Sequence, residues 1–386
     1  MTEVEEASSS HKSTIFACLI ITAAVLCVAA PVWAQTPAAY VYVSSSPSAN
    51  NYEINAFSAA SNGQLTAIGG SPFEGNVQYL AGTSKYLFGE NGIDITSFAI
   101  AADGSLQQVG SIDAQSYNQG HCGGPFTLFL DRTGTLYDLD FYGNSCANNP
   151  YQFFSVDSSS GELTYMGVTR EASPEYVGSL SFLGNNTYAY GASCYKWMAA
   201  IYGFQRNSEG SLTDLNINPA LPTAAQGDFF CPSLASSDGK NHVAISVQSL
   251  NGSTFQPTGP PQLAVYTAGS KGRLTTRSAY TNMPSTAVTT VLDLQASPAG
   301  DLLAVAGTGG LQVFHFNGQN AITRYTQLLT NSEIDQIAWD HANHLYALSQ
   351  STGKLFVFTV TSSSVKRVQG SPYSIANPVN IAVVTP

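Results

Sequence analysis

The chain has 386 residues, and only 10% of them are charged, against about 25% in an average globular protein. Its 25 acidic and 14 basic residues give a net charge of −11, and the basic residues form no run or stripe. Binding to nucleic acid or to an anionic membrane surface is therefore not expected. The hydrophobic share of 44% is enough for a substantial core, and the polar remainder of Ser, Thr, Asn, Gln and Gly favours short strands joined by turns.

The first 34 residues are interpreted as a signal peptide. Residues 15–30 are apolar except for Thr22, Lys12 stands just before them, and Val32 and Ala34 supply the small residues of a cleavage site. An uncleaved membrane anchor is the alternative, but the apolar stretch is short for a span, which usually needs about 18–20 residues. We expect an exported protein, periplasmic or extracellular, that begins at Gln35 and has no membrane span in the mature chain.

One hairpin pattern recurs along the rest of the chain: a strand with an aromatic residue, a polar turn and an aliphatic strand. Its turns are NGQL (62–65), DGSL (103–106), SGEL (160–163), EGSL (209–212), KGRL (271–274), QNAI (319–322) and SSSV (362–365). Glycine stands where a hairpin turn needs a positive φ, and Asn320 replaces it once. Repetition at this spacing indicates a β-repeat architecture.

A second hairpin precedes most of these copies, as in residues 126–137, 292–305 and 334–348. Each repeat then holds four short strands, A to D, and seven such sheets predict an all-β, seven-bladed β-propeller over residues 35–386. The first repeat lacks its innermost strand, and residues 379–384 supply one at the other end of the chain. Both chain ends are therefore expected to build one blade, which closes the ring. An open array of seven sheets would leave two hydrophobic edges exposed.

The sequence resembles the lactonase-like family of seven-bladed propellers, which includes bacterial 6-phosphogluconolactonase and YVTN-type proteins. The resemblance rests on the opening YVYV (40–43), on turns of the GQL type (63–65), and on GSPF (70–73) and GSPY (370–373). It covers essentially all of the predicted mature chain. It implies the propeller fold and, as an activity, the hydrolysis of a lactone.

Loops between strands B and C, and between strand D and the next strand A, share one face of a propeller, here called the top face. The longest expected insertions lie there, in blades three to five: residues 113–124, 143–150, 193–199, 216–230 and 249–261. Such insertions mark a binding face or reflect neutral loop drift. The blade topology also brings four cysteines to this face and predicts two disulfides, Cys122–Cys146 and Cys194–Cys231.

Few ionisable residues are expected on the top face, and five are the candidate ligand-binding residues: His121, Arg170, Glu175, Lys196 and Asp228. His121 with a carboxylate would form an acid–base pair, or it is an exposed loop histidine. Arg170 with Lys196 would hold an anion, or both are solvated. Phe229 and Phe230 either stack on a ligand or fill the core.

No serine-nucleophile elbow, zinc motif or convincing phosphate loop is present, and the glycine-rich residues 307–310 lie in a B–C loop with no helix after them. No catalytic residue, metal or cofactor is predicted. The first hypothesis is a binding or scaffold module of the cell envelope or exterior, whose partner is a small molecule, a glycan or an envelope protein. The alternative is a lactone hydrolase, for which a neutral substrate is expected because few cations are available.

Overall fold

The computed structural model of the chain describes residues 36–48, 51–117, 127–139, 150–170, 180–195 and 198–386. Thr36–Pro386 forms one compact unit. The predicted signal peptide lies outside the described residues, so it stays a prediction. In the described part of the chain, no helix has the length and hydrophobicity needed to cross a membrane.

Seven antiparallel sheets form the blades, each with four main strands, A to D, from the innermost to the outermost. In chain order the strands are β1 (Ala39–Ser48), β2 (Asn51–Ala59), β3 (Leu65–Ala67) and β4 (Phe73–Glu74) in blade one; β5 (Tyr79–Gly82), β6 (Tyr86–Glu90), β7 (Asp94–Ile100) and β8 (Leu106–Asp113) in blade two; β9 (Thr127–Leu130), β10 (Leu136–Leu139), β11 (Pro150–Val156) and β12 (Leu163–Arg170) in blade three; β13 (Ser181–Phe182), β14 (Tyr188–Tyr195), β15 (Met198–Arg206) and β16 (Leu212–Asp214) in blade four; β17 (Asp228–Ser237), β18 (His242–Asn251), β19 (Gln262–Ala268) and β20 (Leu274–Thr276) in blade five; β21 (Thr290–Ala296), β22 (Leu302–Thr308), β23 (Gly310–His315) and β24 (Thr323–Arg324) in blade six; β25 (Gln336–Trp339), β26 (His344–Ser349), β27 (Lys354–Val360), β28 (Val365–Arg367) and β29 (Tyr373–Ser374) in blade seven; and β30 (Pro378–Val384), the innermost strand of blade one. A short 3₁₀ helix, η1 (Gln115–Tyr117), follows blade two.

The ring closes as the sequence predicts. β30 pairs antiparallel with β1, with Tyr40 opposite Val384 and Val43 opposite Ile381. The last strand of the chain therefore completes the blade that the first strand begins. The prediction of a seven-bladed propeller with both chain ends in one blade is confirmed.

The hydrophobic core lies between neighbouring blades rather than inside any one of them. Tyr42 and Ile54 of blade one, for example, belong to one cluster with Leu87 and Phe98 of blade two, and all four are buried. A single sheet has no core of its own, so each blade depends on the faces of its two neighbours.

The recurrent turn glycines have two roles. Gly104 and Gly272 lie at φ 85° and 73°, where only glycine avoids strain. An added Cβ on Gly104 would stand 2.5 Å from the ring of Tyr40 in the preceding blade, and one on Gly272 would stand 2.7 Å from Tyr188. The turn therefore bends sharply and also receives an aromatic side chain from the neighbouring blade.

Tyrosine hydroxyls reinforce the same contact. A tyrosine hydroxyl on strand B of one blade donates to a turn carbonyl of the next blade: Tyr42 to Gly104 at 2.9 Å and Tyr190 to Gly272 at 2.7 Å.

In blade six, the prediction that Asn320 takes the positive φ of the turn is wrong. Gly318 has the positive φ of 62°, while Asn320 is not among the residues with positive φ. The shift of two residues still places a glycine against a ring of the preceding blade, that of His242.

The outermost strands β8 and β12 are long, with eight residues each, and both contain a bulge. The ladder shifts register at Ser97/Phe98 in blade two and at Phe153/Phe154 in blade three. The extra residues, Val109 and Met166, are exposed at 41% and 43%. A bulge twists an edge strand and disfavours pairing with another chain.

Removing the closing strand should destroy the soluble fold. We expect deletion of residues 376–386 to leave the inner edge of β1 unpaired and to cause aggregation, because β1 contributes a largely buried apolar strand. Size-exclusion chromatography and thermal unfolding measure this. Deletion of Thr385 and Pro386 alone is the control and should have little effect. A soluble 1–375 chain with an unchanged Tm would contradict ring closure as a stabilising feature.

Asp340 should be one of the most sensitive positions for stability. Its carboxylate is fully buried in the A–B turn of blade seven and accepts hydrogen bonds from the N–H groups of Ala342 and His344, the His344 ring at 2.7 Å and the Tyr346 hydroxyl at 2.9 Å. Asp340→Ala leaves the buried donors of His344 and Tyr346 unpaired and should cost about 3–5 kcal/mol in the free energy of unfolding.

Urea unfolding measures this cost. The matched control is Asp103→Ala, since Asp103 accepts from Ser105 in an exposed turn and has no long-range partner. A loss as small for Asp340→Ala as for the control would show that the buried network contributes nothing.

Candidate functional site

A cavity of about 970 Å³ occupies the centre of the ring. All seven innermost strands line it, with one residue from each being Leu80, Leu128, Ser181, Leu234, Asp293, Ile337 and Ile381. It also reaches Pro257 and Pro261, in the B–C connection of blade five on the top face. A concave site to which every blade contributes is where a propeller can surround a small ligand.

Polar side chains connect neighbouring innermost strands around this cavity. Three of them lie at one level and each accepts the N–H of a residue in the next blade: Asp293 from Ile337 at 2.8 Å, Gln336 from Ile381 at 3.0 Å and Asn380 from Leu80 at 2.9 Å. Two serines do the same elsewhere, with Ser236 accepting from Ala296 at 2.8 Å and Ser181 from Ser237 at 2.7 Å. We call these five side chains the channel belt.

The channel belt follows from the geometry of a propeller. An innermost strand pairs with strand B on one side only, so its other edge carries N–H groups without a strand partner. Buried N–H groups need acceptors, and the belt supplies them from the adjacent blade. The belt therefore joins five pairs of adjacent blades and places its polar atoms at the cavity wall.

Asp293 differs from the rest of the belt because it is ionisable. Its accessible surface faces the cavity, and protein surrounds it elsewhere. Burial raises the pKa of Asp293 to about 6, although hydrogen bonds from the N–H groups of Ile337 and Leu294 and from the Gln295 amide oppose the rise. At pH 7 the carboxyl group is mostly ionised, and it is a stronger base than an exposed aspartate.

The rest of the described lining is neutral. Amide and hydroxyl groups come from Gln248, Gln295, Ser233 and Ser246, among others, and Leu292 adds an apolar side chain that is 41% exposed. No Lys, Arg or His is among the described residues that line the cavity. The wall thus offers hydrogen bonds and a single negative charge. Within the described ranges, no three His, Cys, Asp or Glu side chains converge as metal ligands would.

The five candidate ligand-binding residues are not tested as a group. His121, Glu175 and Lys196 lie outside the described residues. Arg170 ends β12, the outermost strand of blade three, opposite Pro150. Asp228 begins β17 and accepts hydrogen bonds from Thr258 at 2.7 Å and Ser249 at 3.1 Å, so it ties blade five to its own B–C connection. Asp228 does not line the cavity.

Two of the predicted top-face insertions are structured rather than free. The expected loop at 193–199 is a tight hairpin, because β14 and β15 pair as far as Tyr195 opposite Met198. In the 216–230 insertion, Ile217, Leu221 and Ala224 pack against the core between blades four and five. Phe230 is buried in the same core, which favours its core-filling interpretation, and Phe229 packs edge-on against Phe255.

The disulfide Cys194–Cys231 is present, with the Cα atoms 5.3 Å apart. It joins strand B of blade four to strand A of blade five, as the topology predicts, and both cysteines line the cavity. Cys122 and Cys146 lie outside the described residues, so their pairing stays a prediction.

Solved structures share this fold over nearly the whole chain. A candidate 6-phosphogluconolactonase from Bacteroides fragilis matches with a TM-score of 0.64 at 13% identity, over 92% of this chain and 100% of that one. A periplasmic gluconolactonase from Pseudomonas aeruginosa matches with a TM-score of 0.60 at 17% identity, over 90% and 99%. A candidate 6-phosphogluconolactonase from Bacteroides uniformis gives 0.64 at 12%, over 91% and 100%.

The chain has the fold of the gluconolactonase-like propellers. No family model and no curated protein matches the sequence. At these identities the likeness concerns the fold, and it agrees with the resemblance found in the sequence.

The Cys194–Cys231 disulfide should stabilise the junction between blades four and five. Its loop spans 37 residues, and replacing both cysteines by serine should lower the free energy of unfolding by about 2–4 kcal/mol. Urea unfolding measures the loss. Non-reducing peptide mapping of protein purified without reductant should recover Cys194 linked to Cys231 and Cys122 linked to Cys146. Recovery of Cys122 linked to Cys231 would contradict the pairing.

Proposed function

We propose that this protein is an exported hydrolase of neutral lactones and that the central cavity is its site. The observation that carries the proposal is the lining of the cavity: one carboxyl group among neutral amides and hydroxyls, with no cation among the described lining residues. The fold likeness to a periplasmic gluconolactonase supports the same reaction class. Amides and hydroxyls suit a polyhydroxy ring, because each hydroxyl of the ligand both donates and accepts.

The charge of the site separates neutral lactones from phosphorylated ones. A phosphate group placed about 6 Å from the Asp293 carboxylate would be repelled by about 3 kcal/mol per unit charge at an effective dielectric constant of about 20. No described lining residue supplies a compensating positive charge. The site therefore favours a neutral lactone over a sugar phosphate.

Export is part of the proposal. The apolar N-terminal residues 15–30 and the disulfide between Cys194 and Cys231 support it, since disulfides persist in oxidising compartments. An exported enzyme would meet neutral sugar lactones more readily than intracellular phosphate esters.

A binding module without turnover is the second candidate. It is favoured by the ordered extension of blade five, where Leu250 pairs with Pro257 and Asp228 fixes Thr258 beside the cavity mouth. Such an extension recognises a small molecule or a glycan without requiring any reaction. The same extension would shape access in an enzyme, so only an assay separates the two candidates.

A comparison of two lactones tests the proposal. With mature protein, we expect hydrolysis of D-glucono-1,5-lactone above the spontaneous rate, measured by acid release, and a kcat/KM at least about tenfold lower for its 6-phosphate because of the repulsion described above. Calorimetry with D-gluconolactam, a neutral and stable analogue, measures binding separately.

Binding of the lactam without any hydrolysis would favour the binding module. A preference for the phosphorylated lactone would contradict the neutral-ligand assignment of the cavity. Absence of both binding and hydrolysis would contradict the cavity as the site of lactone recognition.

A further inference from the structure

The ladder between β21 and β22 is interrupted next to Asp293. Val291 pairs with Gly307 and Asp293 pairs with Ala306, so Leu292 is an extra residue in a β-bulge. Bulges re-aim side chains and are frequent beside active sites. Here the extra residue is Leu292, whose side chain is exposed at the cavity wall beside Asp293.

The bulge depends on glycine at position 307. An added Cβ on Gly307 would stand 1.8 Å from the Thr290 carbonyl oxygen and 2.9 Å from the Leu292 nitrogen. The backbone of β21 therefore approaches β22 more closely than any other residue would allow. The glycine-rich residues 307–310, which lack the context of a phosphate loop, thus have a role in shaping the wall around Asp293.

The charge of Asp293 is not needed for its contact with the next blade. Gln336 and Asn380 make the equivalent hydrogen bond at the same level with neutral amides. An asparagine at position 293 would accept the Ile337 N–H just as Asn380 accepts that of Leu80. The contact between blades six and seven therefore does not require a carboxylate at this position, and a partly buried carboxylate carries a desolvation cost.

Other titratable groups on the surrounding strands are few. Asp228 begins β17 and Asp335 lies just before β25, where burial and the charge of Glu333 raise its pKa. Tyr79 begins β5, and burial and the charge of Glu90 raise its pKa. None of these residues lines the cavity, and β22 carries no titratable residue. Asp293 is therefore the titratable group of the described cavity wall.

We infer that Asp293 is the proton acceptor of the channel site, an inference that rests on the proposed lactone hydrolysis. A water molecule beside the carboxylate would lose a proton to Asp293 as its oxygen bonds to the lactone carbonyl carbon, and the C=O π electrons move onto the carbonyl oxygen. The C=O bond then re-forms as the ring C–O bond breaks, and the leaving alkoxide takes the proton back from Asp293. The product is a hydroxy acid, which releases its own proton to solvent. Lactone and water are thereby consumed one for one, with no other reactant.

Asp293→Asn tests this role, because its amide oxygen can still accept the Ile337 N–H that joins the two blades, while the base is lost together with the acceptor of the Leu294 N–H. We expect kcat on D-glucono-1,5-lactone to fall about 100- to 10,000-fold, with little change in the affinity for D-gluconolactam. In the wild type, kcat/KM should rise with pH through about 6 and then level off, since the base works when ionised. The variant should lose this rise.

Two controls separate proton transfer from structure. Glu162→Gln makes the same charge change in the exposed C–D turn of blade three and should leave kcat and the pH profile unchanged. Asn380→Ala removes an equivalent bond between blades and keeps the carboxylate, so the rise near pH 6 should persist whatever its rate. Carbon-13 NMR of labelled wild type should show a carboxyl group titrating near pH 6 that D-gluconolactam perturbs.

An Asp293→Asn protein that folds and retains the wild-type kcat, or its rise near pH 6, would overturn the inference while leaving the proposed hydrolysis intact. A wild type that hydrolyses no lactone would overturn both. If Asp293→Asn does not fold, the pH profile and the carboxyl titration of the wild type test the inference instead. A flat pH profile, or no perturbed carboxyl titration near pH 6, would then overturn the inference.

Discussion

The free inner edge of each innermost strand is the constraint on which the rest of this propeller depends. In a four-stranded blade, strand A pairs with strand B and presents its other edge to the centre of the ring. The chain satisfies that edge with side chains rather than with another strand: Asp293, Gln336 and Asn380 each accept an N–H from the next blade. This arrangement both holds neighbouring blades in register and determines which polar atoms a ligand meets. The same side chains therefore join the blades and line the cavity.

The periphery meets a related requirement by different means. There, an aromatic ring enters the C–D turn of the next blade at several blade boundaries, as Tyr40 does against Gly104 and Tyr188 against Gly272. The glycine is required twice, once for its backbone conformation and once because a side chain would occupy the space of the ring. The blades are thus joined at two radii, by amides, hydroxyls and one carboxyl group at the centre and by rings on glycines near the turns. Because both kinds of contact cross blade boundaries, loss of a single strand such as β30 is felt around the whole ring.

The sequence predicts the fold well because the fold is repetitive. Seven similar turn sequences indicate the same hairpin, so an error in one, such as the assignment of positive φ to Asn320 rather than Gly318, does not change the blade count. The pairing of Cys194 with Cys231 also follows from topology, which fixes the face on which each strand end lies. The candidate site was harder to predict. Asp293 is an isolated acidic residue in an otherwise apolar strand, and this was the available signal in the sequence. Its position also depends on a β-bulge, which no local sequence pattern predicts. The candidate residues on the top-face loops stay predictions, and they left out the side chains of the innermost strands that line the cavity.

The proposed role of Asp293 agrees with its place among the contacts between blades, because those contacts do not require its charge. Gln336 and Asn380 join blades seven, one and two through neutral groups, and a neutral group at position 293 would join blades six and seven in the same way. A carboxylate there raises the electrostatic cost of the folded state, since burial raises its pKa to about 6. For such a group, the protonated form is favoured by folding, so the contribution of Asp293 to stability declines as pH rises between about 4 and 6 and stays low above that. Asp293 costs stability, whereas the neutral Gln336 and Asn380 make the same contact without a charge. This difference supports a role for Asp293 that needs its charge. The bulge at Leu292, which depends on Gly307, points the same way, because it disturbs an otherwise regular ladder at this position.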